Sequence, residues 1–412
     1  MNFLTLTLLL IFISPCSESA TLKELYTEAL KTYPQLAAQH SNFLASETRY
    51  NSALRSLGPV IQLKGTQIYR EEDRRASGFA QGRERSLYLN AIQPLFKGGR
   101  EYAGLSYTQN INGAEEMRLS GKKRSVYQEV VKAFFTCLIQ DKEIFNQEKL
   151  VDLTAKRVSD LNSRVKIGRS RKSELLLAQA QNESAKAQLE VALREKEKAL
   201  AELKRISGID ERESLSFTAK EFHLKPLPSY LEKLDLHPDL QTKVREVAAQ
   251  NDNLQVAYRT HLPDLDFRGN YFLHREGALK NVSWDVSLNL TMPIFESGVT
   301  TSRIHEEVYK KEQQEHLLND VKNTLEATLK QIYSTLEKDL IRLNILKKAS
   351  LLAEENYSEQ QKEYHLGLVS NLEVLQAMNT YIENKKSFDR AFYEVEQNKE
   401  LLLSLTGESE NL

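Results

Sequence analysis

The sequence predicts a mainly helical chain with a small β part, written as one unit twice over. Three observations carry that prediction. Prolines and glycines recur in register between the two halves. At equivalent places in each half the hydrophobic period changes from near 3.6 to 2. The remaining stretches are long, charged and almost free of turn residues, with only 16 Gly and 9 Pro in 412 residues.

The repeat has two offsets. Pro34 of Tyr33-Pro34-Gln35-Leu36 recurs as Pro238 of His237-Pro238-Asp239-Leu240, Pro59 as Pro263 and Gly65 as Gly269, a constant separation of 204 (238−34, 263−59, 269−65). Downstream, Pro94, Gly168 and Gly208 recur as Pro293, Gly367 and Gly407, a constant separation of 199 (293−94, 367−168, 407−208). One step in the offset, at a turn-like stretch, is what duplication followed by a single loop deletion leaves. The expected organisation is a leader at 1–19, a first half at 20–208, a linker at 209–227, a second half at 228–407 and a tail at 408–412.

The leader has an apolar run, Leu8 to Ile13, and small residues at Ser17 and Ser19 before a cleavage point, although the first basic residue is Lys23. Cys16 raises lipidation, but Pro15 stands where a lipoprotein signal needs a small residue. That leaves Cys137 in the mature chain, on a helical pattern with Val131, Phe134 and Leu138, as a buried apolar side chain with no internal disulfide.

The first half opens with a helix from Thr21 to about Leu57, with Thr21 and Glu24 placed for a capping box. A β-hairpin at about 60–93 follows, with Ile61, Leu63 and Tyr69 on one face and Gln62, Lys64 and Thr66 on the other. Pro94 is expected to stop the return strand, and Gly98-Gly99 to turn the chain into a long helix. The second half repeats this with a hairpin at about 264–292, in which Trp284, Val286, Leu288 and Leu290 alternate with Asp285, Ser287 and Asn289. Pro293 and Gly298 make its strand-to-helix turn. Each hairpin leads into a helical hairpin, reversing at Gly168 and at Gly367. A helix running from Arg100 to Lys166 would be about 100 Å long at 1.5 Å per residue, so it needs partner helices alongside.

Strands of about nine or ten residues, apolar on one face and polar on the other, fit a transmembrane barrel with a wet lumen, or a half-buried hairpin on a soluble core. The leader and the absence of another sheet favour strands pooled from several chains into a closed barrel, which removes every unpaired edge. Trp284 and Tyr69, at strand ends, suit an interfacial belt or a core position. No later segment approaches the apolar length of a membrane helix.

Net charge is −1, which gives no reason to expect nucleic acid as a partner, and the basic run Lys166 to Lys172 reads as a solvated turn. The 8 His include no pair at metal-ligand spacing. Gly98-Gly99 lacks the Lys-Ser/Thr of a phosphate loop, and there is no nucleophile elbow. Neither a cofactor nor enzymatic activity is expected.

Gln93-Pro94-Leu95-Phe96-Lys97-Gly98-Gly99 with its repeat Met292-Pro293-Ile294-Phe295-Glu296-Ser297-Gly298, the turns Lys166-Ile167-Gly168 and Tyr364-His365-Leu366-Gly367, and the run Leu368 to Ala377 together resemble the TolC family of outer-membrane efflux and secretion channels. The resemblance covers about Thr21 to Gly407. It implies a homotrimer in outer-membrane lipid, with four strands per chain in a β-barrel continued by a periplasmic α-helical barrel. It also implies a passive duct opened by a periplasmic adaptor and an inner-membrane pump. The tip turns Gly168, Arg169, Gly367 and Leu368 would meet the adaptor. Glu373, its repeat counterpart Glu174, Tyr364 and Gln376 would line the constriction, where three carboxylates concentrate cations. Two positions depart from the family: Gln376 stands where some members are acidic, and Val369 replaces a basic closing partner. Type I protein secretion, or a periplasmic coiled-coil scaffold without a pore, are the alternative readings.

Overall fold

The computed structural model describes residues 20–69, 83–209, 215–277 and 279–409. The leader at 1–19 with Cys16, most of the first hairpin loop and the end of the tail lie outside them. The described chain forms eight α-helices and four strands: α1 (Leu22–Thr32), α2 (Pro34–Arg55), β1 (Val60–Tyr69), β2 (Arg83–Lys97), α3 (Arg100–Lys166), α4 (Lys172–Ser207), α5 (Leu227–Leu231), α6 (Pro238–Tyr258), β3 (Asp264–Arg275), β4 (Trp284–Thr291), α7 (Val299–Leu366) and α8 (Asn371–Thr406). Its contacts divide it into two compact units, each drawn from both sequence halves. One comprises Ala38–Gly121 with Asp235–Leu325 and contains the sheet. The other takes the remaining described residues, including α4 and α8.

The helix expected from Thr21 to Leu57 is two helices. Tyr33 is extended (φ −72°, ψ 113°), because the ring of Pro34 clashes with a helical residue before it, and Pro34 then starts α2. His237-Pro238 repeats the device, with the His237 ring accepting from the Asp239 N–H at 3.2 Å. The Thr21–Glu24 capping box forms, at 2.8 Å and 3.4 Å.

In the sheet-containing unit the two hairpins join into one antiparallel sheet, in the order β1-β2-β3-β4. Residues directly opposite one another share a face. Ile61, Ala91, Gly269 and Val286 align, as do Leu63, Leu89, Tyr271 and Trp284, and Phe267 with Leu288. This apolar face is uncovered, with Leu288 63% exposed and Trp284 61%. Gln62, Asn90, Asn270 and Asp285 align on the other face. There Asn90 Nδ2 donates to Asn270 Oδ1 at 2.8 Å, and Asn270 Nδ2 to Asp285 Oδ1 at 2.7 Å. The sheet thus carries a polar ladder on one side and unpartnered hydrocarbon on the other. Among the described residues β1 and β4 each keep one unpaired edge.

Pro94 does not stop β2. The strand runs on to Lys97 through a register shift between Pro94 and Phe96, because a bulge excuses the missing proline N–H from the ladder. In the second half β4 does end before its proline, at Thr291.

In the other unit α4 and α8 pack with the adjoining parts of α3 and α7. Ala178, Ala185, Ala192 and Ala199 recur every seventh residue along α4 and are buried, a heptad stripe of small side chains. Leu150 of α3, Ala185 of α4 and Ala353 of α7 meet Leu375, Met378, Tyr381 and Ile382 of α8 in one apolar cluster. Cys137 is buried, and burial pushes its thiol up to about 11, which keeps it un-ionised at neutral pH.

Candidate functional site

Both helical reversals close the same way. Gly168 (φ 73°) and Gly367 (φ 79°) take the left-handed conformation, and a side chain on either would be strained although nothing lies within 4 Å. The Arg169 N–H bonds the Arg164 carbonyl at 2.8 Å and the Gly168 N–H that of Val165 at 3.0 Å. Leu368 to Glu363 (3.0 Å) and Gly367 to Tyr364 (3.1 Å) repeat the pattern, so both reversals are Schellman motifs. Around them Ile167, Leu366 and Leu368 are exposed, leaving each reversal with an apolar surface.

Tyr364 is buried between α3 and its own helix. The Arg157 guanidinium lies 3.7 Å from the Tyr364 ring centroid and that of Arg164 lies 4.5 Å away, two cations on one π-system. Arg157 is only 9% exposed and reaches three helices. Its Nε donates to Asn371 Oδ1 at 2.7 Å, and its Nη1 approaches Asp160 Oδ2 at 3.5 Å. Burial pushes the Arg157 pKa down, opposed by Tyr364 and Asp160. Arg164 also pairs with Asp160 and meets His365 Nδ1 at 3.2 Å. Arg157 Nη2 and Asn371 Nδ2 are buried without a hydrogen-bond partner. An incompletely satisfied junction separates more easily than a fully paired one.

The acidic candidates differ. Glu373 is exposed and completes a capping box: the Ser370 N–H donates to its carboxylate at 2.6 Å, and its own N–H donates to Ser370 Oγ at 3.4 Å. The Ser370 backbone bond, reinforced by its hydroxyl, holds the Glu373 carboxyl below the usual carboxylate range. Gln376 lies one turn on, on the same exposed face of α8. Glu174 is half-buried and accepts from the Ser170 hydroxyl; Arg171, at the N-cap of α4, makes no side-chain cap.

The strand-to-helix turns are in the other unit. Gly98 (φ 64°) and Gly99 (φ 74°) are matched by Ser297 (φ 49°) and Gly298 (φ 81°), so a serine holds a left-handed conformation in the second copy. Pro293 lies between β4 and that turn, whereas Pro94 lies inside β2. Tyr69 and Trp284 are exposed at the hairpin-loop ends of β1 and β4.

Sequence reasoning found the turns and missed Arg157, Arg164 and Asn371. The available signal was heptad spacing: Leu150, Arg157 and Arg164 lie seven apart on α3, as Tyr357 and Tyr364 do on α7. Read alone, an arginine at such a position passes for a solvated residue.

Comparison with known proteins fits this architecture. Outer membrane protein TolC of Salmonella enteritidis is 20% identical over 397 residues, covering 92% of this chain and 80% of that protein. Protein CyaE of Bordetella pertussis is 22% identical over 282 residues, covering 65% and 59%. Among solved structures, the Campylobacter jejuni CmeC outer membrane channel superposes with a TM-score of 0.82 at 18% identity, over 96% of this chain and 88% of that one. CusC gives 0.84 at 16% identity, over 94% and 92%. These structures share the fold. Residues 25–209 and 230–408 match the family described as outer membrane efflux protein, and the chain belongs to that family.

Proposed function

We propose that three copies of this chain form the exit duct of a tripartite efflux system, passively conducting small molecules from the periplasm outward. The observation that carries this reading is the sheet: one mainly apolar uncovered face, an opposite face with a hydrogen-bonded polar ladder, and, among the described residues, two free edges. A bilayer accepts such a sheet only when closed, and three copies of four strands make a barrel of about twelve. The apolar face then meets lipid and the Asn90–Asn270–Asp285 ladder lines the lumen, with Tyr69 and Trp284 at the outer interface.

The helical reversals form the periplasmic end in this reading. Exposed Ile167, Leu366 and Leu368 suit an apolar contact with an adaptor hairpin, beside Gly168, Arg169 and Gly367. Gating is a change in the α3–α7–α8 junction. At rest Arg157 holds Tyr364 and Asn371 together. Adaptor binding stabilises an arrangement in which that grip is released. The capping box fixes Glu373 and keeps it ionised, so three copies would present a permanent ring of negative charge, with Gln376 one turn further on. The chain has no energy-converting chemistry in this scheme; the inner-membrane pump supplies the work.

Reconstitution of the purified chain in planar bilayers tests this. Discrete conductance steps from a detergent-solubilised, heat-dissociable trimer support the duct. A chain soluble and single-copy without detergent would leave the coiled-coil scaffold as the better reading.

A further inference from the structure

Each half carries the same strand-to-helix turn, but among the described residues only the first is seated on a neighbouring corner. Arg259 Nη1 donates to the Gly99 carbonyl at 2.7 Å, and that carbonyl also accepts the helical N–H of Ala103. A Cβ on Gly98 would come within 2.7 Å of Leu262 Cβ, and Arg100 pairs with Asp264. The corner between α6 and β3 therefore seats the first turn. At the second turn the Gly298 carbonyl accepts the helical N–H of Ser302, and nothing lies within 4 Å of a Cβ built on Gly298. Ile294 is 95% exposed and Phe295 85%.

The chain also carries a second seat. By the offset of 204, Arg259, Leu262 and Asp264 correspond to Arg55, Gly58 and Val60, at the corner between α2 and β1. The two corners close alike: the Gly58 N–H bonds the Arg55 carbonyl at 3.0 Å, and the Leu262 N–H that of Arg259 at 3.1 Å. Arg55 and Val60 are exposed. The residues at the two turns and corners change in pairs. Gly98 faces Leu262, and the corresponding residues are Ser297 and Gly58, so the side with a Cβ is exchanged for the side without. Arg100 with Asp264 becomes Val299 with Val60, so an ion pair becomes an apolar pair.

We infer that the second turn docks on the α2–β1 corner of a second copy, in the register of the internal junction. Arg55 then donates to the neighbour's Gly298 carbonyl, Ser297 packs on Gly58, and Val299 packs on Val60. The contact is head-to-tail, so it must close into a ring. The unpaired edge of β4 adds to β1 of the next copy as β2 adds to β3, which extends β4 through Phe295 just as β2 continues through Phe96. This also explains why β4 ends at Thr291 in the single chain while β2 reaches Lys97. The inference rests on the trimer reading and specifies its seam.

Two variants on a Cys137→Ala background test it. Gly58→Cys with Ser297→Cys brings two Cβ atoms face to face, and the seam has to open by about 1 Å from the 2.7 Å Gly98–Leu262 approach to reach disulfide spacing. Oxidation should convert the denatured, unreduced chain to dimer and trimer bands, with neither single variant doing so. Val299→Arg should lose the unheated trimer band, and adding Val60→Asp should restore it by rebuilding the ion pair of the first junction. A trimer by light scattering, without cross-linking and without charge-pair rescue, would overturn the register. A single-copy particle from the unsubstituted chain would overturn the trimer reading itself.

Discussion

The two helical reversals have the same backbone and different chemistry. Both are Schellman turns on a left-handed glycine, Gly168 and Gly367. The second is then secured by side chains: Ser370 and Glu373 cap α8, while Tyr364 and Asn371 are gripped by Arg157. The first has Arg171 at its N-cap with no side-chain cap, and its Ser170 hydroxyl goes to Glu174 instead. The two copies share what the backbone needs and differ in the polar contacts around it. In the proposed scheme the α7–α8 reversal is the one that releases.

The largest effect should come from Arg157→Ala. It strips Tyr364 of its closest cation and leaves Asn371 with a second unmet polar group, a loss of about 2–3 kcal/mol at the junction. Planar-bilayer conductance should rise without any adaptor. Conductance equal to the parent's would remove Arg157 from the latch.

Next come the glycines. Gly168→Ala and Gly367→Ala meet no neighbour, so each should cost only the left-handed strain, about 1–2 kcal/mol. Equal losses of amide protection at the two reversals, read by hydrogen exchange, would bear out their equivalence. A much larger loss at Gly367 would mean that the latch amplifies strain.

The caps should differ by about 1 kcal/mol in opposite directions. Ser370→Ala removes a capping box and should speed exchange in the first turn of α8. Arg171→Ser should slow exchange in the first turn of α4, because Glu174 already stands at the third helical position. If Arg171→Ser changed nothing, the asymmetry would lie in the surroundings and not in the cap residue.

Smaller effects belong to Glu373 itself. Its folded pKa is depressed below 4.5, so its capping contribution is present above that value and is lost as pH falls through the lower folded one. Protection at the start of α8 should therefore drop in acid, with no matching step at the uncapped start of α4. Glu373→Gln should lower the cation preference of the channel, measured as reversal potential in a salt gradient. Unchanged selectivity would separate the cap from any role in the pore.

What the sequence made legible was whatever punctuation and period encode. Pro34 and Pro238, the turn glycines and the alternation from Trp284 to Leu290 placed the halves, the reversals and the strands. Arg157 stayed hidden because its partners Tyr364 and Asn371 lie some two hundred positions away, and only the packing of α3 against α7 and α8 reveals them. Pro94 misled because a proline ends a strand unless a bulge accommodates it, and that depends on β3, a strand of the other half. Ser297 stood opposite Gly98 in the repeated motif, but a serine there does not announce a positive φ, which only the fold shows.

In the trimer the uncovered face of the sheet should meet lipid while the opposite face meets water. Nitroxide labels placed singly from Asp285 to Thr291 in the reconstituted protein test it directly. Collision with dissolved oxygen should peak at Val286, Leu288 and Leu290, and collision with a water-soluble chromium complex at Asp285, Ser287 and Asn289. Equal access of the aqueous reagent to Leu288 and Asn289 would mean that the sheet does not separate lipid from water.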